Sequence, residues 1–241
     1  MPDNRTVIDT PEAVSELLVS AYPDANCVFF TESMSDNVTD RGNTLDPYVQ
    51  PDWNRANRQA FYWEDIDMTY QDSPNYFWMA SYQAIAAANH ALEAIAELEA
   101  KGVDCSAQKG EALLCRAYNH FMLVNVFAQH YNPAFAATDM GVAYERVSVK
   151  ETYDKIRKDL EEGLPLISNK AYGDTPKYHF TREAAQAFAC RFYLYVGEWQ
   201  KAIDAADEAL GDNPTLRNWN EYIQMSTANR EKNYTSVQES A

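Results

Sequence analysis

Glycine is scarce in this chain. Eight glycines among 241 residues leave few places where the backbone can turn left-handed at no cost, which argues against a glycine-rich β architecture and suits helices. Basic charge is short as well. Twenty Lys and Arg against 36 Asp and Glu give a net charge of −16, a sign that excludes nucleic acid and disfavours anionic membrane surfaces. Solubility is the plain role of that excess. No run of 18 apolar residues occurs, so no transmembrane segment is expected. The opening Met1-Pro2-Asp3-Asn4 has neither a charged n-region nor an apolar h-region, so no signal peptide is expected within this chain.

The usual chemistry of catalysis is also missing. Four cysteines, Cys27, Cys105, Cys115 and Cys190, form no CxxC pair, and Cys115 and Cys190 sit in apolar helical text where a thiol acts as a small hydrophobe. His90, His120, His130 and His179 have no metal-ligand spacing, and His90 and His120 are expected at the surface or facing a partner. No glycine-rich phosphate loop, GxSxG or Ser-His-Asp order appears. The acidic run Glu64-Asp65-Ile66-Asp67 with Asp72 lacks the glycine and glutamate of a calcium loop and reads as solvated charge. No catalytic residue, metal site or cofactor is therefore expected.

What is present is helical spacing. Tyr193, Gly197, Ala202, Ala206, Ala209 and Pro214 follow the second half of a tetratricopeptide-type repeat: a helix, a turn at glycine, and a helix whose alanines permit close approach. Thr10-Pro11-Glu12 opens a first helix running to about Tyr22. Trp78, Tyr82, Ile85, Asn89, Leu92 and Ala96 recur at three or four residues in a helix over 76–101. Leu114, Ala117, Phe121 and Val124 mark a third helix over 107–128. Ser148 and Glu151 form a capping box, opening a helix with Val149, Tyr153, Ile156, Leu160 and Leu164 as its stripe. Glu151 and Lys155 are spaced for an i,i+4 pair. Asn89 on an apolar stripe reads as an amide satisfied across a helix interface. Arg116 and Arg191 read as guanidinium groups anchored on carboxylates or helix ends. The fold class is all-α: tetratricopeptide-like hairpins stacked into a superhelical scaffold over 76–214, preceded by a long irregular, aromatic-rich excursion over 24–75.

Three blocks carry a resemblance. They are Gly110-Glu111-Ala112-Leu113-Leu114-Cys115-Arg116-Ala117-Tyr118 continuing to Phe127, Arg146-Val147-Ser148-Val149-Lys150-Glu151-Thr152-Tyr153 with Ile156, Asp159 and Leu160, and Thr181-Arg182-Glu183-Ala184-Ala185 continuing to Tyr195, Trp199 and Ala202. In this order the chain resembles the helical N-terminal half of the SusD/RagB family of Bacteroidetes outer-membrane lipoproteins. Ala128 and Ala143 depart from that pattern, where the family usually has Gly and often has Pro. The resemblance implies a single α-helical domain over 1–241, with 215–241 starting a C-terminal half. It implies a non-catalytic glycan- or nutrient-binding role beside a TonB-dependent, SusC-like transporter. It also implies a place on the cell-surface side of the outer membrane, with a lipid anchor upstream of residue 1.

Residue chemistry supplies the candidate site. Pyranose C–H faces stack on flat aromatics while amides and carboxylates take hydroxyls. The excursion offers Trp53, Tyr62, Trp63 and Tyr70 for stacking, and Asn57 and Asp72, with Asp65, for hydroxyls. The competing role for these aromatics is to pack the loop onto the helices. Competing functions are a free-standing helical-repeat adaptor and an α-helical glycosidase resting on the loop carboxylates.

Overall fold

In the computed structural model, which describes residues 8–39, 55–142, 147–172, 178–211 and 214–215, eight helices form and no strand appears among the described residues. They are α1 (Pro11–Leu18), α2 (Val28–Ser33), α3 (Arg55–Phe61), α4 (Pro74–Ala100), α5 (Ser106–Phe127), α6 (Val149–Gly163), α7 (Arg182–Val196) and α8 (Trp199–Leu210). A 3-10 turn over Val19–Ala21 extends α1 and another over Leu164–Leu166 extends α6. The all-α architecture of stacked hairpins is as the spacing predicts.

Local chemistry sets the boundaries. Thr10, Ser73, Ser148 and Thr181 each accept a backbone N–H three residues on, satisfying one of the orphan donors at a helix start. Pro11 and Pro74 occupy first helical positions, where a missing N–H costs nothing. At Ser148 the capping box is complete. Its amide donates to Glu151 Oε2 at 2.8 Å and its Oγ accepts the Glu151 amide at 3.2 Å. Glu151 is thus committed to the cap, and the close i,i+4 pair on α6 is Lys150–Asp154 at 2.5 Å rather than the expected Glu151–Lys155.

The cap makes α6 acid-sensitive. The Ser148 amide, and secondly its hydroxyl, hold the Glu151 carboxyl below the usual glutamate range. A carboxyl with a depressed folded pKa contributes stability above its unfolded pKa and loses it as pH falls through the folded one. Wild type should therefore be more stable than Glu151→Gln at neutral pH, and the gap should close on acidification. Urea midpoints measured across that range check it.

α5 is the shared wall of two cores. Leu114, Phe121 and Val124 face Tyr153, Ile156 and Leu160 of α6 and Phe188 and Phe192 of α7. Phe121 meets Phe188 and Phe192 edge-on at 5.7 and 6.1 Å between centroids, the orientation that ring quadrupoles favour. Ala112 and Cys115 face the other way, onto Val14 and Leu18 of α1 and Ala88, Ala91, Ile95 and Leu98 of α4. The buried face of α4 differs from the expected stripe. It runs through Phe77, Ala80, Ala84, Ile85, Ala88, Ala91 and Ile95, leaving Trp78 and Ala96 exposed. Alanines let two helix axes approach closely, and a pattern built on large residues overlooks such a seam. In α8 likewise Ala202 and Ala205 are buried, while Ala206 and Ala209 are half-buried.

α5 and α6 run antiparallel, and they touch at glycine on glycine. A Cβ at Gly163 would lie 2.9 Å from the Gly110 carbonyl oxygen and 3.1 Å from Leu113 Cβ. Gly→Ala inside a helix normally stabilises through backbone entropy. Here the backbone contact reverses the sign, and Gly163→Ala should cost about 1–3 kcal/mol by overpacking, read as a lower urea midpoint.

The arginine and amide readings hold for Arg116 and Asn89. Asp159 accepts from Arg116 Nε and Nη2 at 2.7 Å each, and Asn89 Oδ1 accepts from Nη1 at 2.9 Å. One guanidinium thereby ties α4, α5 and α6 together. His90 is exposed as expected, but His120 is half-buried, its Nδ1 donating to the Arg116 carbonyl at 3.0 Å.

Candidate functional site

The excursion contains more order than its sequence suggests. α2 and α3 pack Phe30 and Ala60 against Phe77 at the start of α4, with Ile66 and Val126 alongside. These helices have six and seven residues, under two turns, too short to display a period.

Among the described residues three helices end in the same hydrogen-bonded turn, and one does so with an unusual residue. After α4, Gly102 N–H bonds to Glu99 and Val103 N–H to Leu98; after α7, Gly197 N–H bonds to Leu194 and Glu198 N–H to Tyr193. The glycines adopt φ of 82° and 78°, as the left-handed residue of a Schellman turn does. After α3, Trp63 N–H bonds to Ala60 at 3.1 Å and Glu64 N–H to Gln59 at 2.9 Å. The residue that turns left-handed there is Trp63, with φ 56°. A bulky side chain in that region costs roughly 1–2 kcal/mol, and strained residues of this kind cluster at functional positions.

The strain presents an indole to solvent. Trp63 is 72% exposed and its neighbour Tyr62 is 48% exposed, with Tyr62 set edge-on against Phe61 at 5.0 Å. Tyr70, also exposed, lies by the other end of α3, its hydroxyl accepting the Ala56 amide at 3.4 Å. Asn57 is half-buried on α3 between them. Seven helical residues span about 10 Å, so Tyr62 and Trp63 flank one end of α3 and Tyr70 the other. Asp67 is gripped by Arg55 and by Gln59, the latter at 3.0 Å. Asp72, left-handed at φ 70°, accepts from Asn26 at 3.4 Å and ties the loop to the segment before α2. Trp53 lies outside the described residues. Among the described residues no cluster of three or more His, Cys, Asp and Glu could hold a metal ion, and no helix is long and apolar enough to cross a membrane.

Two features escaped the sequence. Trp78, 37% exposed, packs with Tyr82 and Phe127 at centroid distances of 4.8 and 5.0 Å. It forms an aromatic rim beside Phe77, on which α2 and α3 rest. The second is a buried acid. Glu111, fully buried, accepts from the Tyr22 hydroxyl at 2.6 Å and from His179 Nδ1 at 2.9 Å. The Tyr172 ring stacks on His179 at 3.8 Å. The available signal was a lone carboxylate within the apolar α5 text.

Comparisons with known proteins agree with this architecture. The SusD-like family model, described as "Starch-binding associating with outer membrane", matches residues 1–194. Among curated proteins the chain is similar to SusD-like protein P2 of Formosa agariphila, 25% identical over 132 residues that make up 54% of this chain and 26% of that protein. Among solved structures it resembles a SusD-like carbohydrate binding protein from Bacteroides vulgatus, with a TM-score of 0.67 and 20% identity over 88% of this chain and 47% of that one. It also resembles a SusD superfamily protein from Bacteroides thetaiotaomicron, with a TM-score of 0.63 and 19% identity over 89% and 50%. A laminarin binding SusD-like protein gives a TM-score of 0.59 and 20% identity over 91% and 49%. The chain spans about half the length of these structures and aligns with 26% of the curated relative.

Proposed function

The chain belongs to the SusD-like family, and from that premise we propose that it serves as a non-catalytic glycan-binding component of an outer-membrane uptake complex. In this reading the helices over 76–214 are scaffold and the 24–75 excursion is the recognition surface. The observation that carries it is Trp63. Of the three Schellman turns among the described residues two use glycine, and the third places an exposed indole at the strained position. A scaffold has no need of that arrangement. A pyranose face does, since an exposed flat ring offers a stacking platform. Tyr62 and Tyr70 extend the platform, with Trp53 assigned to it from sequence, while Asn57 and Asp72 supply hydroxyl partners. The partner is a TonB-dependent, SusC-like transporter, and the protein sits lipid-anchored on the cell-surface side. A free-standing adaptor role has less support, because it leaves the exposed aromatics of the excursion without a purpose.

Affinity electrophoresis in native gels containing laminarin or starch tests the reading. The protein should be retarded relative to a glycan-free gel, and substitution of Trp63 should reduce that retardation. Migration unaffected by either glycan and by other neutral polysaccharides would overturn it.

A further inference from the structure

A cavity of about 280 Å³ opens between α4, α5 and α6, and its described lining includes Asn89, Arg116, His120, Lys155, Lys158 and Asp159. Its charge runs against the rest of the molecule. Acids outnumber bases 36 to 20 in the chain, whereas Arg116, Lys155 and Lys158 face a single carboxylate among the described lining residues. That carboxylate, Asp159, has both oxygens bonded to Arg116 at 2.7 Å. Arg116 and Asp159 therefore form a fixed wall whose charges cancel.

The lysines are held less tightly: the Lys155 charge bears on Glu151, whose carboxylate is itself engaged by the Ser148 cap. Lys155 and Lys158 stand three residues apart, on one face of α6. Lys158 reaches Glu162 at 4.0 Å, but its side chain is 72% exposed, and such surface pairs are worth little. Burial holds the His120 pKa down; the Arg116 carbonyl and the Asp159 charge oppose it, and the Arg116 and Lys155 charges add to it. Apolar Val142 and Val147, with Thr152, are also among the cavity's described lining residues. Low-dielectric walls concentrate such a field and draw in counter-ions. The volume is close to the lower end of small-molecule sites.

We propose that this cavity binds a small oxyanion, a carboxylate or sulfate group, between the Lys155 and Lys158 ammonium groups above the Arg116–Asp159 wall. The oxyanion arrives either free or as the acidic substituent of a sugar. The site is separate from the α3 aromatics and does not depend on them.

Calorimetric titration with sodium sulfate, sodium glucuronate and glucose, at constant ionic strength made up with chloride, tests it. Sulfate and glucuronate should each bind saturably and raise the melting temperature, and glucose should do neither here. The double variant Lys155→Gln/Lys158→Gln, at exposed positions that leave the core untouched, should lose at least tenfold in affinity for both anions. Lys101→Gln/Lys170→Gln, which removes the same charge elsewhere, should bind as wild type. Glucuronate binding tenfold tighter than sulfate assigns the group to a sugar, and equal affinities assign it to a free anion. No saturable signal beyond chloride, or undiminished affinity in the Lys155/Lys158 variant, overturns the proposal.

Discussion

Glu111→Ala is expected to destabilise the fold by about 3–5 kcal/mol, since each buried donor left without its acceptor costs about 1–3 kcal/mol. Tyr22 beyond α1 and His179 before α7 converge on this carboxylate from distant parts of the chain, the Tyr172 hydroxyl also bears on it, and alanine removes the acceptor they share. The Tyr22 and Tyr172 hydroxyls are pushed far above their ordinary range by burial first; next come the Cys115 and then the Glu111 charge for Tyr22, and the Glu111 charge for Tyr172. They stay protonated and can only remain donors in search of a partner. Burial, the larger cause, keeps the Cys115 thiol raised even without Glu111, so no neighbouring anion takes the place of the lost carboxylate. Melting temperature shifts about 2–4 °C per kcal/mol in a domain of this size, so a fall of roughly 10 °C should accompany the lower urea midpoint. Glu111→Gln keeps one acceptor oxygen and should fall between. An alanine variant within about 1 kcal/mol of wild type, the ordinary cost of a point mutation, would mean that the cluster does not hold α1, α5 and the α7 approach together.

That cluster also marks how far the sequence could be read. Helix existence was legible wherever caps and period coincided: Thr10-Pro11, the Ser148–Glu151 box and the Gly197 turn each place a boundary to within a residue or two of the observed one. The Arg116 and Asn89 roles were legible in kind, since polar groups on apolar stripes need partners, although the particular partner Asp159 lies 43 residues away. Glu111 and His179 are 68 residues apart, and nothing local to either announces the other. Within α4 the buried face runs through small side chains, Ala80, Ala84, Ala88 and Ala91, between its large ones. Within the excursion, α2 and α3 are too short for any period, and a tryptophan does the work usually given to glycine. The list of candidate aromatics was available from composition, but their arrangement around α3 was not.

Trp63→Gly should separate binding from folding more cleanly than any other change in the excursion. Glycine relieves about 1–2 kcal/mol of left-handed strain, and the greater freedom of the unfolded chain returns about 0.4–1 kcal/mol of that. A net gain of about 0.5–1 kcal/mol should remain, because an indole 72% exposed contributes little packing to lose. Binding should move the opposite way. An aromatic anchor is typically worth about 2 kcal/mol or more at an interface, so affinity for the retained polysaccharide should drop about 30-fold. Trp63→Ala supplies the control. Alanine keeps the Cβ and therefore most of the strain, so it should lose the same affinity without the gain in stability. The pair distinguishes a stacking residue from a structural one by the sign of the stability change at equal loss of retention. If both variants migrate like wild type in the glycan gel, the indole at the end of α3 is not part of the sugar surface. If Trp63→Gly lowers the urea midpoint as well as retention, Trp63 is packing the excursion and the loss of binding is secondary.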